Sequence, residues 1–85
     1  PMTREVFVEN KPVELTYKEY ALLLYLFENS FRVVSRDEML NHIWGYEYVG
    51  ESRTLDIHIR SLRQKLGPMG SVIKTIRGVG YRFIK

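Results

Sequence analysis

The chain has 85 residues, 45% of them apolar and 27% charged, and no cysteine. That is the size and balance of one domain around a single core. It excludes a disulfide framework, a thiolate metal site and a membrane-spanning helix, which needs an apolar run of ~20 residues. The formal net charge of +3 conceals a division: residues 1–52 hold five Lys/Arg against nine Asp/Glu, a net −4, and residues 53–85 hold eight against the single Asp56, a net +7.

The N-terminal Pro-Met-Thr-Arg-Glu carries no signal-peptide pattern, and a chain without cysteine fits a reducing cytosol, so a cytoplasmic location is expected. Patterned sequence starts almost at once, as in a piece cut from a longer protein. Val6 and Val8, then Val13 and Leu15, alternate with polar residues around Glu9-Asn10-Lys11-Pro12, which predicts a β-hairpin with one buried face. Thr16-Tyr17-Lys18-Glu19 is a capping box that opens a helix running to about Asn29. Its inner face is expected at Tyr20, Leu23, Leu24 and Phe27, broadened by Leu22 and Leu26.

Phe31-Arg32-Val33-Val34 reads as an extended link. Ser35-Arg36-Asp37-Glu38 is a second capping box, opening a helix to Trp44 with Met39, Leu40, Ile43 and Trp44 inward and Gly45 as its stop. Residues 45–52 hold two glycines and no helical period, which predicts a loop. A third helix is expected from about Arg53 to Leu66, ending at Gly67-Pro68. Two strands, Val72–Ile76 and Tyr81–Ile84, then flank Arg77-Gly78-Val79-Gly80 as a hairpin. The order of elements is α+β, and the basic third of the chain is one helix plus one hairpin.

At about 100° per residue, Leu55, Ile59, Leu62 and Leu66 form the core stripe of the third helix, within a sector of roughly 60°. The opposite face carries Ile57, Arg60, Ser61 and Gln64. Thr54, His58 and Lys65 flank it on one side, Asp56 and Arg63 on the other. Cations for phosphates or guanine, Gln for adenine, Ser for several base edges and an apolar group for the thymine methyl are the chemistry of a major-groove helix. Asp56 lies where it could hold Arg60 and Arg63 for phosphate contacts. The hairpin adds Lys74, Thr75, Arg77, Arg82 and Lys85, with Arg77 at the tip, where a long cation reaches a narrow minor groove.

Other chemistries fit less well. Glu38 and His42 are four residues apart on one helix, but two ligands without a third make no metal site. Gly78-Val79-Gly80 lacks the third glycine and following helix of a dinucleotide loop. No catalytic residues, metal or cofactor are expected. Tyr81 and Phe83 alternate around Arg82, which leaves open an aromatic sheet face of the kind that stacks RNA bases. A purely protein-binding domain would not need the +7 segment.

Three stretches together resemble the C-terminal effector domain of OmpR/PhoB response regulators, a winged helix-turn-helix: residues 15–20 with the following Leu pairs, residues 34–45, and residues 53–66. Thr75-Ile76-Arg77-Gly78-Val79-Gly80-Tyr81-Arg82 resembles the family's wing signature. The resemblance implies one DNA-binding domain over residues 1–85, the effector half of a two-domain regulator whose receiver is phosphorylated by a sensor kinase. It implies tandem dimers on direct repeats, with the third helix in the major groove and the wing at the adjacent minor groove. By position it implies phosphate or orienting contacts from Arg53, Thr54, His58, Arg60 and Arg63, base-facing places for Ile57 and Ser61, and wing contacts from Thr75, Arg77 and Tyr81. Gln64 and Lys65 complete the expected DNA-binding set. Tyr46, Glu47, Tyr48 and Glu51 fall in the loop that meets RNA polymerase in relatives. Trp44 is expected in the core.

The sequence departs from the family pattern in three places. Only one hairpin precedes the first helix, so the N-terminal sheet reads as truncated. Ser30-Phe31 replaces the usual Gly, so Phe31 is expected to pack. Ser61 is small where some relatives place Arg.

Overall fold

The structure is a computed structural model that describes residues 3–45 and 53–84. Strand β1 (Thr3–Val8) pairs antiparallel with β2 (Lys11–Thr16), Val6 opposite Val13. The turn is only Glu9-Asn10, with φ of 51° and 67°. Two successive left-handed residues give the twist that joins right-twisted strands through a two-residue loop. Pro12, expected in the turn, therefore lies in β2, opposite Phe7.

Helix α1 (Tyr17–Glu28) starts as its capping box predicts: Thr16 Oγ1 accepts from the Glu19 N–H at 3.2 Å, and Glu19 Oε1 accepts from the Thr16 N–H at 2.8 Å. Its buried face differs from the expectation. Leu22 and Leu26 are wholly buried, whereas Leu24 is 40% and Phe27 50% exposed. The helix is apolar almost all round from Ala21 to Phe27, so periodicity alone could not choose the side that packs.

The predicted link after α1 contains a strand. In β3 (Val34–Ser35), Val34 pairs with Tyr81 and Ser35 with Gly80. Phe31 does not pack; it is 73% exposed. Helix α2 (Arg36–Trp44) is capped by Ser35, whose Oγ accepts from the Glu38 N–H at 3.1 Å. The reciprocal half of the expected box is replaced, because the Glu38 carboxylate accepts from Tyr25 Oη and Arg32 instead. Arg32 holds it down to about pH 2, with Tyr25 adding to the effect. His42, the other half of the dismissed metal pair, stacks on Tyr25 at 4.1 Å between ring centroids. Gly45 ends the helix at φ 122°.

Helix α3 (Arg53–Leu66) has the predicted bounds, and Leu55, Ile59, Leu62 and Leu66 are all buried. After it the chain makes a 3-10 helix, Gly67–Val72, before strands β4 (Ile73–Ile76) and β5 (Gly80–Phe83). Val72 thus belongs to the connection rather than to the strand. The second sheet has the order β3-β5-β4, all antiparallel. The two wing glycines do different work. Gly78 supplies the positive φ of 78° at the turn; a Cβ on Gly80 would lie 2.0 Å from the Val34 carbonyl oxygen, so β3 lies this close to β5 only because residue 80 has no side chain. One core, including Leu15, Leu22, Leu26, Val34, Met39 and the α3 stripe, lies between the hairpin, the three helices and the second sheet.

Candidate nucleic-acid interface

Helix α3 presents four kinds of surface. Its core stripe faces inward. Opposite it, Arg53, Ile57, Arg60 and Gln64 are all exposed, Ile57 at 58%. Their 4-3-4 spacing puts them within a sector of roughly 60° on the far side of the helix. The two flanks between these faces are bonded to the rest of the molecule.

On one flank, Ser61 Oγ donates to Glu19 Oε2 at 2.6 Å and Lys65 Nζ donates to Glu19 Oε1 at 2.7 Å. Glu19 is 3% exposed. Burial opposes its charge, but the hydrogen bonds from Lys65, Ser61 and the Thr16 N–H outweigh that cost and hold the carboxyl at about 2. Higher on the same flank, His58 Nδ1 lies 2.8 Å from the Thr54 carbonyl oxygen, and its ring meets Trp44 edge-on at 5.0 Å. Trp44 packs against the core, with Lys18 Nζ 5.2 Å from its ring centre.

On the other flank, Asp56 accepts from Arg36 through both oxygens and from Tyr81 Oη at 2.6 Å. Arg36 draws the Asp56 carboxyl below its ordinary range, against burial and with help from Tyr81. Arg63 donates from Nε and Nη2 to the Ile73 carbonyl, at 3.1 and 2.7 Å, and from Nη2 to Thr75 Oγ1 at 2.7 Å; its guanidinium also lies over the Tyr81 ring.

Several expectations change accordingly. Ser61 and Lys65 turn toward Glu19, because Ser61 lies about 70° round from the centre of the outer stripe. Asp56 binds Arg36 and Tyr81, not Arg60 or Arg63. Tyr81 is 5% exposed, and burial, reinforced by its bond to Asp56, pushes its hydroxyl up to about 12. It anchors the wing from inside, so it leaves the set of outward wing contacts and takes with it half of the aromatic RNA-stacking face. Phe83, the other half, is partly buried and meets Phe27 edge-on at 5.3 Å. Arg77 is exposed at the wing turn beside Gly78, and Lys74 and Thr75 are exposed on β4. Tyr46, Glu47, Tyr48 and Glu51 lie outside the described residues.

Sequence reasoning missed two residues, Glu19 and Arg36, that hold α3 in place. Glu19 satisfied a capping box, which occupies one carboxylate oxygen and gives no sign of partners 42 and 46 residues away. Arg36 was hidden inside the second box.

Residues 10–83 match the family model described as "Transcriptional regulatory protein, C terminal". The chain is 50% identical over 80 residues to the transcriptional regulatory protein VxrB of Vibrio cholerae, covering 94% of this chain and 32% of that one. The DNA-binding domain of Bacillus subtilis CssR is 38% identical with a TM-score of 0.86, covering 95% of this chain and 91% of that one. The Klebsiella pneumoniae RstA DNA-binding domain, solved in complex with the RstA box, is 31% identical with a TM-score of 0.82, covering 95% and 83%. The chain spans about a third of the full-length curated regulator it matches. With the hairpin, three helices and wing in this order, the chain belongs to the C-terminal domains of OmpR/PhoB-type transcriptional regulatory proteins, the winged-helix family.

Proposed function

We propose that this domain binds duplex DNA sequence-specifically as the effector of a two-component response regulator. The observation that carries the proposal is the exposed stripe Arg53, Ile57, Arg60 and Gln64, set between two flanks whose polar groups are bonded internally. A helix held on three sides and open on the fourth is preorganised to enter a groove. Arg60 and Gln64 carry the hydrogen-bonding chemistry for guanine and adenine, and Ile57 an apolar contact for a thymine methyl. Arg53 and Lys74 suit phosphates. Arg77 at the wing turn suits the adjacent minor groove. Ser61, Arg63 and Lys65 support the helix, while Thr54 and His58 orient its first turns against Trp44.

The same reading makes the domain non-enzymatic and cytoplasmic. It places the domain after a receiver that a sensor kinase phosphorylates, and assembles it as a tandem dimer on direct repeats. The loop with Tyr46, Glu47, Tyr48 and Glu51 has the acidic-aromatic composition of a protein contact, with RNA polymerase as the partner.

A binding titration against salt tests the proposal. With about four phosphates neutralised, log K falls against log salt with a slope near −4. A flat response would show that the basic third does not bind a polyanion through its charges.

A further inference from the structure

Two of the attachments on α3 serve the wing alone, and they lie seven residues apart on one flank. Asp56 accepts from the Tyr81 hydroxyl of β5, and Arg63 donates to the Ile73 carbonyl and the Thr75 hydroxyl of β4. Seven residues are two helical turns, about 10 Å along the axis. Pairing with β3 and the buried Ile73 and Tyr81 already hold the wing to the scaffold; two polar ties at this separation add a lock on its rotation about the helix. Arg36 closes the arrangement from the third side, since its guanidinium meets Asp56 and its N–H donates to the Val79 carbonyl of the wing turn at 3.2 Å. Asp56 also has a 43% exposed side chain on a face meant for a polyanion. An acid there would repel phosphate, and its pairing with Arg36 and Tyr81 removes that repulsion.

We propose that Asp56, Tyr81 and Arg63 are positioning residues that lock the spacing between the helix stripe and Arg77, so that the two groove contacts form as one unit. The coupling rests on the DNA-binding reading above, but the mount itself does not. Its signature is non-additivity. While the mount holds, placing α3 in its groove also places Arg77 in the next one, and the ordering of the wing is complete before binding. With the mount released, the wing contact forms separately and contributes less.

The test has two arms, each run with Tyr81→Phe, which removes one hydroxyl, and with Arg63→Met, which keeps the stem and removes the donors. In the free domain, residual dipolar couplings from α3 and from β4–β5 fit a single alignment tensor in the parent protein. They require two tensors in each variant if the mount is what sets the wing's orientation against α3. A single tensor in both variants overturns the proposal, whatever the DNA result. In the second arm, Arg77→Ala costs about tenfold in affinity for an A·T-flanked duplex in the parent and less than about threefold in either variant background. An equal cost in all backgrounds overturns the coupling. If the tensors separate but the parent binds no duplex, the mount stands and the DNA-binding reading fails. A merely structural role would lower thermal stability and leave the cost of Arg77→Ala unchanged.

Discussion

The two flanks of α3 are each organised by a carboxylate, and the two carboxylates differ in kind. Glu19 is buried, belongs to another helix and accepts three hydrogen bonds from Thr16, Ser61 and Lys65. Asp56 belongs to α3 itself, is nearly half exposed at its side chain, and faces Arg36 and Tyr81. A buried acid with both oxygens engaged fixes the helix to the scaffold, and losing it strands its donors. A half-exposed acid contributes little net stability, because water competes for both partners. What it can fix is geometry. Holding α3 to the scaffold and setting the wing against it are therefore assigned to opposite flanks of the helix.

Substitutions can break this comparison. Glu19→Ala removes the shared acceptor of a backbone N–H, a hydroxyl and an ammonium. The expected loss is about 3 kcal/mol, read as a fall in Tm on the order of 15 °C. Asp56→Asn is expected to cost less than about 1 kcal/mol. Equal losses at the two positions in denaturant titrations would dissolve the distinction.

The pH dependence sharpens it. The folded Glu19 carboxyl titrates at about 2, below an ordinary Glu at about 4.3. A depressed folded value means that this stability is fully present above the unfolded value and is lost as pH falls through the folded one. Melting temperature should hold from pH 7 to 5 and drop between about 4.5 and 2, with about 2 kcal/mol traceable to Glu19. Glu38, also held at about 2 by Arg32, adds to the drop. Glu19→Gln should flatten the fall; an unchanged acid limb in that variant would mean that Glu19 carries no such term. The smallest effect belongs to the open face. Ile57→Ala should relax preference at one T·A pair by about 1 kcal/mol and leave the salt slope unchanged. An unaltered profile of selected sequences would remove Ile57 from the reading set.

The same contrast explains what the sequence disclosed. Helix α3 was legible to the residue because its apolar and polar positions separate cleanly around the axis. Helix α1 was legible in extent, through Thr16 and Glu19, but not in orientation, because Leu22, Leu23, Leu24, Leu26 and Phe27 leave no polar side to exclude. Strand β3 was hidden because its two residues pair with Tyr81 and Gly80, far along the chain. Of the candidate site, the outward residues Ile57, Arg60, Gln64 and Arg77 could be read from position alone. The inward bonds of Ser61, Arg63, Lys65 and Tyr81 could not, since a hydroxyl or a cation on a flank has the same sequence signature whether it meets a phosphate or a buried glutamate.

The most direct test of the central claim is to titrate the isotopically labelled domain with duplex DNA carrying its selected site and follow every backbone and side-chain signal. The largest shifts should fall on Arg53, Ile57, Arg60 and Gln64, with a second group at Arg77, while Tyr25, Glu38 and His42 on the α1–α2 face stay still. Shifts centred on that α1–α2 face, with the α3 stripe unmoved, would contradict it.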